Sequence, residues 1–338
     1  MDDSKSYWKP VRVIRALCMV TILFLRMGVA PTQSSANSDV LGVTKCTECH
    51  KTSGAVWEGT HHFSTFRDMP RSDKAKEIAK KMGFKRIKAG SLCLTCHFTS
   101  VIEGDEPKPV SGISCESCHS GGKNYLKVHS EFSGKKKENE SADEAKARWE
   151  MAEVGGMIRP KAMYEWATNC YSCHTVPNEK LVNEGGHPAG SAFELVAWSQ
   201  GEIRHNLWYT KTNDAATGDR KRLMYVVGQA IELEISLRAV GKATVKATYA
   251  GKMAKRAAAA RKRFSKIAGV VDLPEIKEIA ALAKTAKLKL NNGDQLTPIA
   301  ESIQVQTKAI VANYDGSQMA GVDGLLPSED KYKGKPAL

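Results

Sequence analysis

The chain has 338 residues, 9 cysteines, 9 histidines and a formal net charge of +13. Its 42% hydrophobic and 26% charged residues exclude a wholly disordered chain. No apolar run reaches the roughly 18 residues of a membrane-spanning helix, which excludes a polytopic membrane protein. The length accommodates one large domain or two ordinary ones. The positive charge favours acidic partners, which include nucleic acid, anionic lipid and acidic protein.

Residues 1–36 have the layout of a secretory signal. A positively charged start precedes the short apolar segment 16–25, and small residues precede the bond after Ala36. This pattern predicts cleavage after Ala36 and a periplasmic or otherwise exported protein. The alternative is an uncleaved anchor helix. Arg26 disfavours this alternative because it interrupts the apolar segment. Cys18 is removed with the signal, so eight cysteines remain.

These eight cysteines form four C-x-x-C-H motifs, the attachment signature of c-type haem. Two thiols at this spacing reach the two vinyl groups of one porphyrin, and the adjacent histidine becomes the proximal ligand of the iron. The sequence therefore predicts four covalently attached haem c groups. The predicted thioether residues are Cys46, Cys49, Cys93, Cys96, Cys115, Cys118, Cys170 and Cys173. The predicted proximal ligands are His50, His97, His119 and His174.

Two other uses of the cysteines remain open. Cys96 and Cys115 are separated by 18 residues, which fits the spacing of a four-cysteine zinc site. Small disulfide loops are also compatible with an exported protein. Neither alternative explains why a histidine follows every cysteine pair, so haem attachment is the favoured interpretation.

The five other histidines are candidates for the distal side of the irons. They are His61, His62, His129, His187 and His205, and residues 206–338 contain no histidine. A second histidine ligand gives a six-coordinate iron that is suited to electron transfer. Met69 and Met82 are alternative ligands. Because His61 and His62 are adjacent, we expect one of them to reach a given iron, with His61 the weaker candidate. The alternative for each histidine is a surface role, most evenly balanced for His187, which precedes Pro188 in a glycine-rich turn.

Three stretches resemble the tetrahaem cytochrome c-554 family. The first reads C-T-E-C-H-K from Cys46, with Trp57 and then Thr-His-His ending at His62. The second, residues 107–129, joins Pro-Lys-Pro to Cys-Glu-Ser-Cys-His, a glycine pair and His129. The third is the helix-like segment 193–205. The likeness covers roughly residues 40–210.

This resemblance implies three haems with two histidine ligands each, one five-coordinate haem, and haems packed in close pairs. By motif it implies that His62, His129 and His205 are distal ligands. It also implies that the haem of the second motif, at His97, is open. His187 has no evident counterpart in the family's type member, and it either closes that iron or lies beside it. The C-terminal third likewise has no counterpart.

Four haems attached within 46–174 leave little room for an ordinary core, so we expect a mainly α fold with short helices and loops wrapped around haems. One helix is predicted over 70–82 and ends at Gly83. The Ser141–Glu144 capping box opens another helix. Residues 162–169 are predicted to deliver the fourth motif from a helix, and the lysines at 135–137 form a solvated turn.

The C-terminal region is predicted to be helical. Residues 223–240 fit both a helical and an alternating pattern, whereas 245–267 have a strong amphipathic helical spacing that ends at Gly269. The next helix starts at 272–275 and ends at 291–293. The last helix opens at Thr297–Pro298 and runs to about Asn313. The tail after Tyr314 is predicted to be an extended arm.

The predicted organisation is a signal peptide (1–36), a tetrahaem domain (37–209) and a basic helical region with an extended tail (210–338). The last region carries 22 Lys/Arg and 13 Asp/Glu residues. Three functions suit such a surface, namely docking of an acidic redox partner, oligomerisation and membrane association. The alternative is a helical bundle with a solvated basic surface. Nucleic acid is disfavoured because an exported haem protein does not normally meet it.

The favoured function is an electron carrier that links a donor oxidoreductase or quinol dehydrogenase to an acceptor cytochrome or reductase. The alternative is an enzyme that reduces or oxidises nitric oxide or hydroxylamine at one open haem, that of His97. A third hypothesis gives the C-terminal helices a scaffold role in a larger redox complex. The supply of five further histidines for four irons favours the carrier.

Overall fold

The computed structural model describes residues 38–89, 92–207 and 211–337. These residues are mainly helical, which confirms the predicted fold class. The predicted signal of residues 1–36 lies outside the described residues. Within the described ranges, no helix is long and apolar enough to span a membrane.

The motif-bearing part of the chain consists of short helices and one small sheet. The helices are α1 (Val43–Thr47), α2 (Lys51–Glu58), α3 (His61–Asp68), α4 (Asp73–Lys81), α5 (Leu94–His97), α6 (Cys115–His119), α7 (Leu126–Ser130), α8 (Ala142–Val154), α9 (Met163–His174), α10 (Glu179–Asn183) and α11 (Leu195–Ser199). Strands β1 (Thr99–Glu103) and β2 (Glu106–Ser111) form an antiparallel hairpin. Single 3₁₀ turns lie at Met69–Arg71, Gly122–Asn124, Phe132–Gly134 and Lys137–Asn139.

Serine caps decide where two of these helices begin. The helix predicted over 70–82 is interrupted, because Ser72 is extended and its hydroxyl accepts the Ala75 N–H, so α4 starts only at Asp73. The capping box of α8 is confirmed. Ser141 accepts the N–H of Glu144 at 3.3 Å, and Glu144 accepts the N–H of Ser141 at 3.0 Å.

The hairpin was not anticipated from the sequence. It holds the second and third motifs side by side, since β1 follows His97 and β2 leads to Cys115. The buried Thr99 hydroxyl donates to the Gly112 carbonyl at 2.8 Å and accepts the Ser114 N–H at 3.0 Å. These contacts fix the loop that enters the third motif.

Four longer helices make up most of the C-terminal region. They are α12 (Gly218–Lys242), α13 (Thr248–Val270), α14 (Pro274–Thr285) and α15 (Gly293–Asn313). Segment 223–240 is therefore a helix and not a strand. It fitted both patterns because α12 is buried on nearly all sides, including polar residues such as Gln229 and Glu232. The amphipathic pattern of α13 is confirmed by Met253, Phe264 and Ile267, each 0% exposed.

Three predicted helix boundaries and the predicted conformation of the tail are wrong in this region. Helix α13 continues through Gly269, which is exposed and costs a helix only about 1 kcal/mol. Helix α14 ends at Thr285, since Gln295 accepts the Lys287 N–H and donates to the Thr285 carbonyl, which holds the chain in a loop. Because α15 begins at Gly293, Pro298 lies inside it rather than opening it. The tail is not extended, because a 3₁₀ segment (Ser317–Leu325) buries Met319 and Val322.

The main apolar core joins α9 to the C-terminal helices. Met163, Ala167 and Tyr171 of α9 are buried in one cluster with the inward faces of α12, α13, α14 and α15. A second, smaller cluster contains Ala79, Ile87, Leu94 and Phe98, and the second-motif Cys93 packs against it. The helix that carries the fourth motif is thus the principal attachment between the motif-bearing part and the C-terminal helices.

Candidate haem-binding site

Each motif histidine lies at or just beyond the end of a short helix. His97, His119 and His174 are the last residues of α5, α6 and α9, which confirms that a helix delivers the fourth motif. His50 follows α1, and its N–H donates to the Cys46 carbonyl at 3.0 Å. One helical turn between the two cysteines of a motif places both thiols on one side of the chain, as attachment to one porphyrin requires.

The motif cysteines meet across motifs. None of the eight is joined in a disulfide. The Cys46 side chain lies against that of Cys115, and this contact together with burial raises the pKa of the Cys46 thiol. Cys96 lies against Cys173 in the same way, with the same effect on the Cys96 pKa. The first motif is therefore next to the third, and the second is next to the fourth.

The third and fourth motifs are also neighbours. The Asn169 side-chain amide of α9 donates to the Cys118 carbonyl at 3.3 Å. Burial, followed by the charges of Cys115 and Cys173, raises the pKa of Cys118 to about 12. The contacts that involve the motif cysteines therefore run in the order first, third, fourth, second.

Every motif histidine faces one of the other histidines. The four pairs, with their ring-centroid separations, are His50 and His129 at 6.4 Å, His62 and His174 at 6.3 Å, His97 and His187 at 6.3 Å, and His119 and His205 at 6.2 Å.

The four separations fit two imidazoles that share one iron. A ligating imidazole nitrogen lies about 2.0 Å from its metal, so two imidazoles on opposite sides of an iron have ring centroids roughly 6.3 Å apart. Residues from different elements meet at this one spacing. His62 is on α3, His129 is on α7, and His187 and His205 lie in loops. The residues present therefore fit four six-coordinate haems.

The remaining candidates lie elsewhere. His61 is exposed, and its Nδ1 lies 2.8 Å from a carboxylate oxygen of Glu202 rather than opposite a motif histidine. Met69 packs against the small cluster around Phe98, and Met82 lies beside Gly185. Within the described ranges, no three His, Cys, Asp or Glu side chains converge as a group able to hold a metal ion.

Hydrogen bonds orient five of the eight paired rings. The Nδ1 atoms of His119, His129, His187 and His205 lie 2.7–3.1 Å from backbone carbonyls. A carbonyl only accepts, so each of these Nδ1 atoms carries the proton and Nε2 keeps the lone pair that binds a metal. His174 differs, because its Nδ1 lies 3.1 Å from the Ser191 hydroxyl.

Burial favours the neutral form of these histidines. It lowers the pKa of His97 and of His174 to about 4, and neighbouring His62 lowers both further in the same direction. Burial also lowers the pKa values of His50, His62 and His119. Neutral imidazole is the form that ligates metals.

Three supporting residues were missed by sequence reasoning. Glu116, inside the third motif and 1% exposed, accepts the N–H groups of Leu41, Gly42 and Gly122, each at 2.8 Å. This anchors the loop before the first motif.

The other two supports act at single histidines. Buried Arg148 donates to the His129 carbonyl at 2.6 Å while it is paired in a two-pronged contact with Glu140. Ser191 contacts His174, as above. None of the three carried a specific signal in the sequence, because Glu48 is likewise an acid inside a cysteine motif and the partners are brought together only by folding.

Comparison with known proteins finds similarity over part of the chain. Residues 45–120 match the family model described as cytochrome c554 and c-prime. A 103-residue segment is 30% identical to cytochrome c-554 of Nitrosomonas europaea. The aligned segment covers 28% of this chain and 44% of that protein. The chain thus spans less than half the length of this relative. No solved structure matches.

Proposed function

We propose, from the match of residues 45–120 to the cytochrome c-554 family model, that this chain is a periplasmic tetrahaem cytochrome that transfers electrons between redox proteins. The family assignment supports covalently bound haem c and an electron-carrier role. The single observation that carries the proposal beyond the family is the set of four histidine pairs at 6.2–6.4 Å.

The chain's residues have distinct roles in this proposal. The eight motif cysteines would hold the haems as thioethers, and each histidine pair would supply two ligands to one iron. Haem supplies a one-electron iron couple at each of the four positions. Two strong axial ligands in both oxidation states keep the coordination unchanged and exclude small molecules, which suits electron transfer.

The order of contacts between motifs supplies the route. Cysteines of the first motif contact the third, Cys118 of the third contacts the helix of the fourth, and cysteines of the fourth contact the second. Haems held by these cysteines would therefore form one line of sites along which electrons would pass. The first and second motifs are then the ends at which partners deliver and remove electrons. A donor oxidoreductase or quinol dehydrogenase and an acceptor cytochrome or reductase are the proposed partner classes.

The purified protein tests the haem count and ligation directly. We expect a pyridine haemochrome assay to give four haems per chain, and electron paramagnetic resonance to show low-spin ferric iron at all four. A dominant high-spin signal from several haems would contradict the assignment of four bis-histidine sites.

The second motif separates this proposal from the enzyme alternative. The family resemblance implies an open iron at His97, whereas His187 lies 6.3 Å from His97 in this chain. We therefore propose a closed second haem and expect carbon monoxide to leave the spectrum of the reduced protein unchanged. Binding of carbon monoxide by the unaltered protein would favour the enzyme.

Replacing His187 tests whether this residue is the second ligand of the haem at the second motif. In His187→Gly we expect one of the four haems to become high-spin and to bind carbon monoxide when it is reduced, because the ligand is removed while the proximal His97 is kept. His61→Gly is the matched control, since His61 faces Glu202 and no motif histidine; its spectrum is expected to match that of the unaltered protein. An unchanged spectrum in His187→Gly would show that His187 is not a ligand.

A further inference from the structure

An open groove lies beside the second motif. It has a volume of about 540 Å³ and runs between α4 and the loop that follows it. Its floor is apolar, formed by Ala79, Phe84 and Ile87, and its rim carries exposed cations that include Lys80, Lys85 and Arg86. In the described part of the chain, no carboxylate pairs with these three cations within 4 Å, whereas the neighbouring Lys76 is paired with Asp73.

The floor of the groove is continuous with the haem-attachment site. Ala79 and Ile87 belong to the same buried cluster as Leu94 of the second motif, and both Phe84 and Cys93 pack against that cluster. A molecule seated in the groove is therefore one layer of side chains from the thioether residue Cys93. The second motif is also one end of the line of sites, where an external partner is required.

We infer that this groove is the docking surface for an acidic, one-electron redox protein, which exchanges its electron at the second motif. The inference rests on the proposed electron-carrier function and adds the place and the charge of the partner. In the transfer, one electron leaves the reduced partner, which is oxidised, and is taken up at the second haem site, which is reduced. No atom or proton is transferred.

The shape of the surface favours a protein over a membrane. Attachment to a bilayer uses large apolar side chains that protrude from a basic surface. Here the apolar residues are recessed, with Ala79 4% and Ile87 7% exposed, and the cations surround them. A recessed apolar floor inside a charged rim matches the anatomy of a protein interface, and unpaired rim cations attract an acidic partner over distance.

A charge-removal variant with a matched control tests the inference. The groove variant is Lys80→Gln, Lys85→Gln and Arg86→Gln. The control is Lys255→Gln, Lys262→Gln and Lys266→Gln, which removes three exposed cations from α13, a helix that has no acidic residue. The probe is reduced flavodoxin, an acidic low-potential protein, and stopped-flow absorbance measures its second-order rate constant with each holoprotein from low to high salt.

We expect the groove variant to react about tenfold more slowly at low salt and to show a weaker salt dependence. The control is expected to change the rate less than twofold. Equal decreases in both variants would overturn the inference, because the overall charge would then decide the rate. An unchanged rate in the groove variant would also overturn it.

Two further measurements separate the remaining outcomes. If the unaltered protein sediments with anionic phospholipid vesicles and the groove variant does not, the groove is a membrane site and the inference fails. Dithionite reduction tests the underlying function. If all four haems are reduced by dithionite but the flavodoxin rate is independent of salt, only the docking surface is wrong. If the haems do not exchange electrons with either reductant, the electron-carrier function itself is wrong.

Discussion

At the scale of single residues, the partners of Nδ1 distinguish the proposed ligands from one another. Four of the paired histidines donate to backbone carbonyls, whereas the Nδ1 of His174 contacts the Ser191 hydroxyl. The acceptor on this N–H increases the basicity of the opposite nitrogen and so favours the ferric state of a ligated iron. Arg256 holds Ser191 in place by donating to its carbonyl at 3.0 Å.

Ser191→Ala is therefore expected to raise the midpoint potential of one haem, that of the fourth motif. The lost acceptor corresponds to about 1 kcal/mol of hydrogen bonding, so we expect a modest shift with the other three potentials unchanged. Spectroelectrochemical titration measures all four. Ser191→Thr keeps the hydroxyl and is expected to retain the original potential. No shift in Ser191→Ala, or an equal shift at every haem, would count against this role.

The motif histidines could be predicted because haem attachment imposes a fixed local spacing. The four facing histidines were predicted as candidate ligands from the small number of other histidines and from the family resemblance, without assignment to particular motifs. The supporting contacts could not be predicted in the same way. Glu116 binds backbone N–H groups about 75 positions away, and Ser191 is 17 positions from His174. Neither separation has a sequence signature, since only the folded chain brings these groups together.

At the scale of elements, the close approach of α12 to α9 and α11 depends on one glycine. A Cβ atom at Gly228 would lie 2.8 Å from the Leu195 Cβ atom and 3.2 Å from the Tyr171 hydroxyl. Both neighbours are fully buried, so neither moves away without disturbing the main core. Gly251 on α13 is the contrasting case, because it is exposed and a Cβ atom there would contact nothing within 4 Å.

The two glycines are expected to respond in opposite ways to alanine. Gly251→Ala should increase the free energy of unfolding by about 0.5–1 kcal/mol, through the higher helix propensity of alanine. Gly228→Ala gains the same propensity but overpacks the contact with α9 and α11, and we expect a net loss of about 1–2 kcal/mol. Urea denaturation of both variants measures the difference. Stabilisation by Gly228→Ala would show that α12 moves freely against these helices.

How well each helix could be predicted depended on how many of its faces are buried. Helix α13 buries one stripe, and its amphipathic spacing identified it. Helix α12 is buried nearly all round, so its sequence was equally compatible with a strand. The 3₁₀ tail was missed because it buries only Met319 and Val322, too few residues to set a period. The boundaries of α14 and α15 depend on Gln295 contacts that no local pattern indicates.

At the scale of the whole molecule, a buried acid links the fourth-motif helix to the C-terminal helices. The Tyr164 hydroxyl of α9 donates to Glu234 of α12 at 2.7 Å, and Arg238 donates to the same carboxylate at 3.0 Å. Glu234 is 3% exposed. Burial raises its pKa, and the bonds from Tyr164 and Arg238 offset this only in part. The contact that joins the two parts of the chain therefore carries an electrostatic cost when Glu234 is ionised.

This cost predicts a dependence of stability on pH. Because the pKa of Glu234 is higher in the folded than in the unfolded chain, the folded state holds more protons just above the ordinary glutamate pKa. The free energy of unfolding therefore falls as pH rises through that window. In Glu234→Gln the side chain cannot ionise. A difference in stability between the two proteins that changes with pH therefore reports the titration of Glu234. Relative to this variant, the unaltered protein is expected to lose stability as the pH rises above the ordinary pKa of glutamate. Urea denaturation at intervals of pH measures the difference, with Glu278→Gln, at an exposed position of α14, as the control for removing one charge. A difference that stays constant over this range, or that changes in the opposite direction, would mean that burial of Glu234 does not raise its pKa.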